Sequence, residues 1–362
     1  METLGYGVIG LGRIGARHIR AISRLPQGRL VAVADTNAEK AHATAAEQPE
    51  SCTAYQDHRE MLEDEDIDVA VVLVPTHLHR DVSVDAMDAG KHVICEKAMA
   101  PSVRECMDMI EARDRNGVKL MIAHSTRFRA PFVVARELIE DGAIGEVIGT
   151  DGHFCARATQ EDDVPGDFWR FKEGAAGHGY VINFGCHHID AVRAMTGAEP
   201  ISVSGHVGNR FSEGVIPEDH YTITALCDND MTISIAQYGS LERYTMRSAG
   251  HAIFGTHGMI EAYWRPGRVI LIQPDREPQE VEVPEETGDT DPWVIEHRGF
   301  HHSIVEDTVE PVTGEDAMRN IEWAIAGYLS SERRCWVDIP LSEEDCECRG
   351  PSLLETLPPA VP

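Results

Sequence analysis

Residues 5 to 15 read Gly5-Tyr6-Gly7-Val8-Ile9-Gly10-Leu11-Gly12-Arg13-Ile14-Gly15, an apolar run of strand length that breaks into three spaced glycines. The stretch then continues as RIGARHIRAISRL, in which Ile14, Ile19, Ile22 and Leu25 fall on one face of a helix. Twenty residues after Gly15, a second apolar run ends on Asp35. A strand, a G-x-G-x-x-G turn, an amphipathic helix and a strand-terminal acid form the dinucleotide-binding fingerprint. Gly10 permits the tight turn, Gly12 lets backbone approach a pyrophosphate, and Gly15 lets helix and strand pack closely. Arg13 and Ile14 open the helix, whose N-H groups and positive dipole end suit a phosphate. Asp35 can accept hydrogen bonds from both ribose hydroxyls and would repel a 2'-phosphate, so NAD is favoured. Arg13 can neutralise a phosphate, which leaves NADP open. The alternative is a glycine-rich packing turn with an unrelated aspartate.

Working outward, RLVAVAD (29 to 35), VAVVLVP (69 to 75), KHVICEK (91 to 97) and KLMIAH (119 to 124) are further runs rich in Val and Ile. Helical patterns separate them, two of which end on Gly90 and Gly117 as C-caps. This regular alternation predicts a doubly wound parallel sheet over residues 1–124, an N-terminal Rossmann domain in an α/β protein. After about residue 125 the texture changes. One helix near 130–142 leads into period-2 segments separated by turn signals such as Asp228-Asn229-Asp230, which predict an open, largely antiparallel sheet in a second α/β domain over 125–340. Helical stretches return at 293–310 and 315–332. The segment 341–362, acidic and then rich in proline, reads as a loosely attached tail.

The chain has 362 residues, 42% of them hydrophobic, which suits two domains of comparable size. It carries 32 basic against 61 acidic side chains, a net charge of -29. Such a surface repels phosphate backbones and anionic membranes, so neither nucleic acid nor a membrane is expected as a partner. No apolar run approaches the roughly 20 residues of a membrane helix, and the N-terminus runs directly into structure. The nine cysteines are odd in number and mostly scattered singly, without a disulfide framework or a zinc-ribbon spacing. A cytoplasmic protein is the expectation. The lone Cys346-x-Cys348 supplies only half a metal site.

Lysine is rare, occurring only at 40, 91, 97, 119 and 172. Lys97 ends an apolar run, and the carboxyl ends of strands line the ligand crevice of a doubly wound sheet. An amine held there beside a cationic nicotinamide is suited to exchanging protons with a substrate hydroxyl. The bland alternative is a surface lysine paired with Glu96.

At this point the sequence resembles the Gfo/Idh/MocA oxidoreductase family over nearly its whole length up to about residue 340. The resemblance rests on the fingerprint, on Val74-Pro75-Thr76-His77-Leu78-His79, on AGKHVICEKAMA (89 to 100), on RFRAPFVVARELIEDGAIGEV (127 to 147) and on INFGCHHIDAVRAMTG (182 to 197). It implies a Rossmann domain joined to an open-faced α/β domain, hydride transfer with a nicotinamide cofactor, and a homodimer or homotetramer built on the open sheet face. It also implies that Lys97 is the acid/base residue, that His187 stands at the catalytic histidine, and that Asn183 stands where many members have a catalytic aspartate. Thr76, His79, Glu96 and Lys97 join the cofactor site on the same basis, and Arg127, Trp169, Arg170, Asn183 and His187 line the substrate. Two departures stand out. Ala98 replaces the proline after the lysine, and a cis bond without proline costs about 3 kcal/mol, which predicts a trans peptide there. Asn183 cannot carry a proton as a carboxylate does, so proton transfer would fall to Lys97 and His187.

Gly185 to Gly197 reads as a helix in which His187 and Asp190 share a face, so that Asp190 can orient an imidazole, while His188 turns about 100° away toward the core. His297 and His301 have an i, i+4 spacing that can bind zinc, but no third ligand stands at a telling position and no metal is expected. The leading functional expectation is an NAD-dependent oxidoreductase acting on a secondary alcohol: a sugar, a cyclitol or a dihydrodiol. Two others remain open: an NAD-dependent enzyme that cleaves glycosides without net redox change, and a non-catalytic sugar-sensing regulator.

Overall fold

The structure, a computed structural model, describes residues 3–49, 51–157, 179–209, 218–240, 250–264 and 267–350. The chain forms two compact units. The first comprises Met1–Ala100, Arg104–Ser125 and Glu286–Met318; the second comprises Pro101–Val103, Thr126–Glu285 and Arg319–Pro362.

The first unit is built on six parallel strands: β1 (Leu4–Ile9), β2 (Gly28–Ala34), β3 (Thr53–Tyr55), β4 (Val69–Val72), β5 (His92–Glu96) and β6 (Leu120–Ala123), in the order β3-β2-β1-β4-β5-β6. The inner strands are buried on both faces, which is why they read as unbroken apolar runs: every residue of β1, β4 and β6 is buried. Helices α1 (Gly15–Ile22), α2 (Ala38–Ala46), α3 (His58–Leu62), α4 (His79–Asp88) and α5 (Val103–Asn116) supply the crossovers. The order reverses at β1, where Ile9 pairs with both Ala34 and Val72, so Gly10, Asp35 and the turn after β4 all leave the sheet at its carboxyl edge. β3 has only three residues and carries no apolar run, so the periodicity did not announce it.

Late in the sequence the chain returns to this unit. α8 (Pro292–Val305) starts on Asp291, whose side chain accepts from the Trp293 N-H at 3.0 Å, and it packs on α1 with the Arg17 guanidinium 4.4 Å from the centre of the Trp293 ring. A division at residue 124 alone does not capture this return.

Among its described residues the second unit carries nine strands: β7 (Val147–Arg157), β8 (Pro200–Gly208), β9 (His220–Cys227), β10 (Thr232–Ser240), β11 (Gly250–Gly255), β12 (Gly258–Trp264), β13 (Gly267–Ile272), β14 (Gln279–Val281) and β15 (Val337–Asp338). Their order is β14-β13-β12-β11-β7-β10-β9-β8-β15, antiparallel throughout except for the parallel pair β7 and β10. Alternation is clean on β9 and β10: Tyr221, Ile223, Ala225, Ile233 and Ile235 are buried on one face, and Thr222, Thr232 and Tyr238 are exposed on the other. Helices α6 (Ala130–Glu140), α7 (Cys186–Thr196) and α9 (Gly314–Arg333) bring further apolar surface, with Phe132, Ala135, Ala191 and Met195 in one core cluster with Ile253 and Ile260. The segment expected to hang loosely after 341 is anchored in its described part. α10 (Glu343–Cys346) is capped by Ser342, Arg333 pairs with Asp345, and the Leu341 N-H donates to Glu322 at 2.9 Å.

Candidate active site

In the first unit the glycine loop is shaped as its residue types require. Gly10 has φ +93°, and a Cβ there would lie 2.9 Å from the Leu73 carbonyl. A Cβ on Gly12 would meet nothing within 4 Å, so the open space above that residue is available to a ligand. Asp35 ties the loop to the end of β2: Oδ2 accepts from the Leu11 N-H and Oδ1 from the Asn37 N-H, each at 2.9 Å. Lys40, which sequence reading passed over, lies 3.5 Å from Asp35 Oδ2. Arg13 is exposed and Ile14 half-buried at the start of α1. Backbone donors, open space over Gly12 and an acid at the second strand end fit the pyrophosphate and ribose of a dinucleotide.

The turn after β4 holds Thr76, which is buried, and His79. Its ring lies between backbone carbonyls, with Nδ1 2.9 Å from Ala98 O and 3.3 Å from Met99 O, and Nε2 2.9 Å from Val74 O. Burial lowers its pKa despite these carbonyls and the charge of Glu96. His79 thus packs on the chain beside Lys97, donating to a backbone carbonyl from the one ring nitrogen that carries its proton. The Lys97–Ala98 peptide is cis, against the expectation drawn from the missing proline, with the Ala98 carbonyl turned onto the His79 ring. Lys97 is half-buried and its N-H donates to Glu96 Oε2 at 2.9 Å. Glu96 is not a surface partner for the ammonium but points inward to His18 at 3.1 Å. Burial alone would raise its pKa; the hydrogen bond and charge of His18, with Lys97 and His79, outweigh that and hold the carboxyl low.

In the second unit, residues 181–185 form one wide turn of π-helix that runs into α7. Asn183 sits in it, half-buried, its N-H bonded to Gly179 O at 3.0 Å. His187 follows on the first turn of α7, half-buried, with Nδ1 2.8 Å from Thr126 Oγ1 and its ring 6.0 Å from that of Trp264. His188 points into the core and meets His251 at 3.2 Å; burial, and then the charge of His153, push its pKa down to about 4.

Asp190 does not orient the imidazole. It is fully buried and takes a two-pronged bond from Arg127, Nε to Oδ2 at 3.0 Å and Nη2 to Oδ1 at 2.5 Å, while Asn320 donates to Oδ1 at 2.9 Å. Arg193 then reaches Asn320 Oδ1 at 2.6 Å and pairs with Glu199. Arg127 is therefore a clamp on α7, and a fork-to-fork pair of this kind fixes both planes. Trp169 and Arg170 lie outside the described residues. Thr126 and Asn320 were missed because an isolated threonine or asparagine carries no motif and both partners are distant in sequence.

A doubly wound parallel sheet with a shaped glycine loop, an acid at the end of its second strand and a lysine at the end of its fifth defines a dinucleotide-binding oxidoreductase domain. Residues 4–124 match the model of the oxidoreductase family with an NAD-binding Rossmann fold, and residues 132–261 match the GFO/IDH/MocA C-terminal domain. The chain belongs to the Gfo/Idh/MocA family, and its cofactor is NAD.

Among its relatives is 2,7-anhydro-N-acetylneuraminate hydratase of Mediterraneibacter gnavus, 29% identical over 270 residues, which are 72% of this chain and 67% of that one. Levoglucosan dehydrogenase of Pseudarthrobacter phenanthrenivorans is 31% identical over 205 residues, 54% of this chain and about half, 52%, of the relative. A levoglucosan dehydrogenase in complex with NADH shares the fold with a TM-score of 0.85 at 24% identity, covering 94% of this chain and 100% of that one. Among the described residues no helix is long and apolar enough to cross a membrane.

Proposed function

We propose that the chain is an NAD-dependent dehydrogenase of a sugar, cyclitol or related secondary alcohol, with Lys97 as its acid/base residue. The observation that carries this is the convergence of the glycine loop, Asp35 and Lys97 on the carboxyl edge of one parallel sheet. Bound NAD supplies the two-electron acceptor for the hydride of a carbinol carbon. Backbone at Gly12 to Gly15 holds the pyrophosphate, and Asp35, already fixed by two N-H groups, offers its remaining lone pairs to the adenosine ribose. Lys97 Nζ takes the hydroxyl proton as the carbonyl forms and returns it in the reverse direction. His79 and Glu96 fix the backbone on either side of that lysine. On the second unit, His187, with Nδ1 held by Thr126, offers Nε2 to a substrate oxygen, and Asn183 offers an amide that can bond a hydroxyl without exchanging its proton. The open face of the nine-stranded sheet, where Tyr238 is 49% and Phe254 39% exposed, serves association of the chain into a homodimer or homotetramer.

Purified protein with NAD and a panel of polyols, anhydrosugars, cyclitols and dihydrodiols tests this by NADH absorbance. Turnover is expected on at least one member, and Lys97→Ala is expected to lower kcat by about a thousandfold while NAD still binds. The hydratase relative favours a second assignment, cleavage of an anhydrosugar or glycoside with no net NADH. Product formation without absorbance change would replace the dehydrogenase by that enzyme, and cofactor binding without any product would leave a sensor.

A further inference from the structure

A buried histidine pair in the first unit has an acceptor at each outer edge. His18, on α1, directs Nε2 to Glu96 Oε1 at 3.1 Å and Nδ1 to His297 Nε2 at 3.3 Å; His297, on α8, directs Nδ1 to the Trp293 carbonyl at 2.9 Å. Both rings are 0% exposed. A carbonyl and an ionised carboxylate can only accept. Three contacts in line between two such ends need three protons, and two neutral imidazoles carry two. With two, one contact would set lone pair against lone pair where no solvent relieves it.

We propose that Glu96, His18 and His297 form a buried relay holding a third proton, and that this charge-balanced triplet is a positioning device that fixes the Glu96 carboxylate on the Lys97 backbone. The surroundings agree. His297 is pushed down to about 3 by burial and then by the charge of His18, so the extra proton does not sit on His297. Glu96 is held ionised as described, and its second oxygen takes the Lys97 N-H at 2.9 Å. Among the described residues, the other charged or titratable groups facing the triplet are Lys97 and His79, on the Glu96 side, and Glu296, whose carboxylate lies within 4.8 Å of the ring nitrogens of His18 and His297. The catalytic part rests on Lys97 being the acid/base residue, as proposed above; the proton count does not.

Long-range nitrogen–proton NMR on the full chain with NAD, labelled with 15N at histidine, reads the count near neutral pH. Expected is one ring with both nitrogens protonated, His18, beside one ring with a single bare nitrogen, His297, and the same pattern in Lys97→Ala. In His297→Gln the amide can donate to His18 Nδ1, so the third proton is expected to vanish while kcat falls about tenfold and the KM for NAD holds. One protonated nitrogen on each ring together with an ionised Glu96 carboxylate, read from its 13C shift in the unaltered protein, would overturn the relay. So would a stoichiometric metal ion in the purified protein, bridging the two rings with Glu296 as third ligand in place of the proton. Loss of the third proton with kcat unchanged would overturn the positioning role. Should His297→Gln fail to fold, the unaltered chain's spectrum and metal content still decide the proton count. Full turnover by Lys97→Ala would sink the proposed function and leave the relay standing.

Discussion

A methyl group added at Gly12 would meet no atom within 4 Å, whereas one at Gly10 would press on the Leu73 carbonyl from a left-handed backbone. The two glycines of one motif therefore answer to different forces, Gly10 to the fold and Gly12 to a ligand. Gly12→Ala is expected to leave the thermal midpoint within about 1 °C, since exposed substitutions of this kind change stability little. NAD affinity should fall at least about tenfold, because the methyl occupies space the pyrophosphate needs. Calorimetric titration beside a thermal melt measures both, and a variant that binds NAD normally would remove Gly12 from the site. Residues of this sort were legible because their reason is local: a turn, a strand end, a spacing. The partners that hold them were not. Glu96, His18 and His297 meet across 279 residues of sequence, and Thr126 meets His187 across 61.

At the scale of elements, the start of α7 hangs on a buried acid. Glu218 Oε1 accepts from the Val181 N-H at 3.1 Å and from the Tyr328 hydroxyl, and a Cβ on Gly179 would displace the carboxylate from these bonds. Burial raises the Glu218 pKa to about 8, against the pull of Tyr328 and Val181, so the group is neutral below that pH. An acid whose folded pKa is raised stabilises the fold while protonated. That contribution is complete below the ordinary value of 4.5 and is lost as pH climbs through about 8. Glu218→Gln keeps both acceptor bonds and cannot ionise. The variant is expected to gain stability relative to the unaltered chain as pH rises across about 5 to 8, in urea unfolding followed at several pH values. A difference constant in pH would refute the assignment. Periodicity gave α7 to within a residue of its C-cap at Gly197, and it gave five of the six strands of the parallel sheet. It could not foresee the π turn at 181–185 or the parallel pairing of β7 with β10, since side-chain alternation does not encode which strand lies beside which.

For the whole molecule, net charge and the open sheet face act against each other. Copies of a chain with a charge of -29 repel at long range, while Tyr238 and Phe254 on the uncovered face gain by burial. The repulsion extends over a Debye length of about 14 Å at 0.05 M salt and about 4 Å at 0.5 M, so salt should remove it while leaving apolar burial intact. Association is accordingly expected to strengthen as salt rises, the opposite of an assembly held by ion pairs. Sedimentation velocity at fixed protein concentration should show the dimer or tetramer fraction growing between those two salt concentrations. Tyr238→Glu, which puts a further negative charge on the same face, should shift the chain toward monomer at low salt, and salt should recover only part of the loss because the aromatic surface is gone as well. If the unaltered chain sediments as a monomer at every salt, or if Tyr238→Glu associates as before, the open face is not where copies of this chain meet.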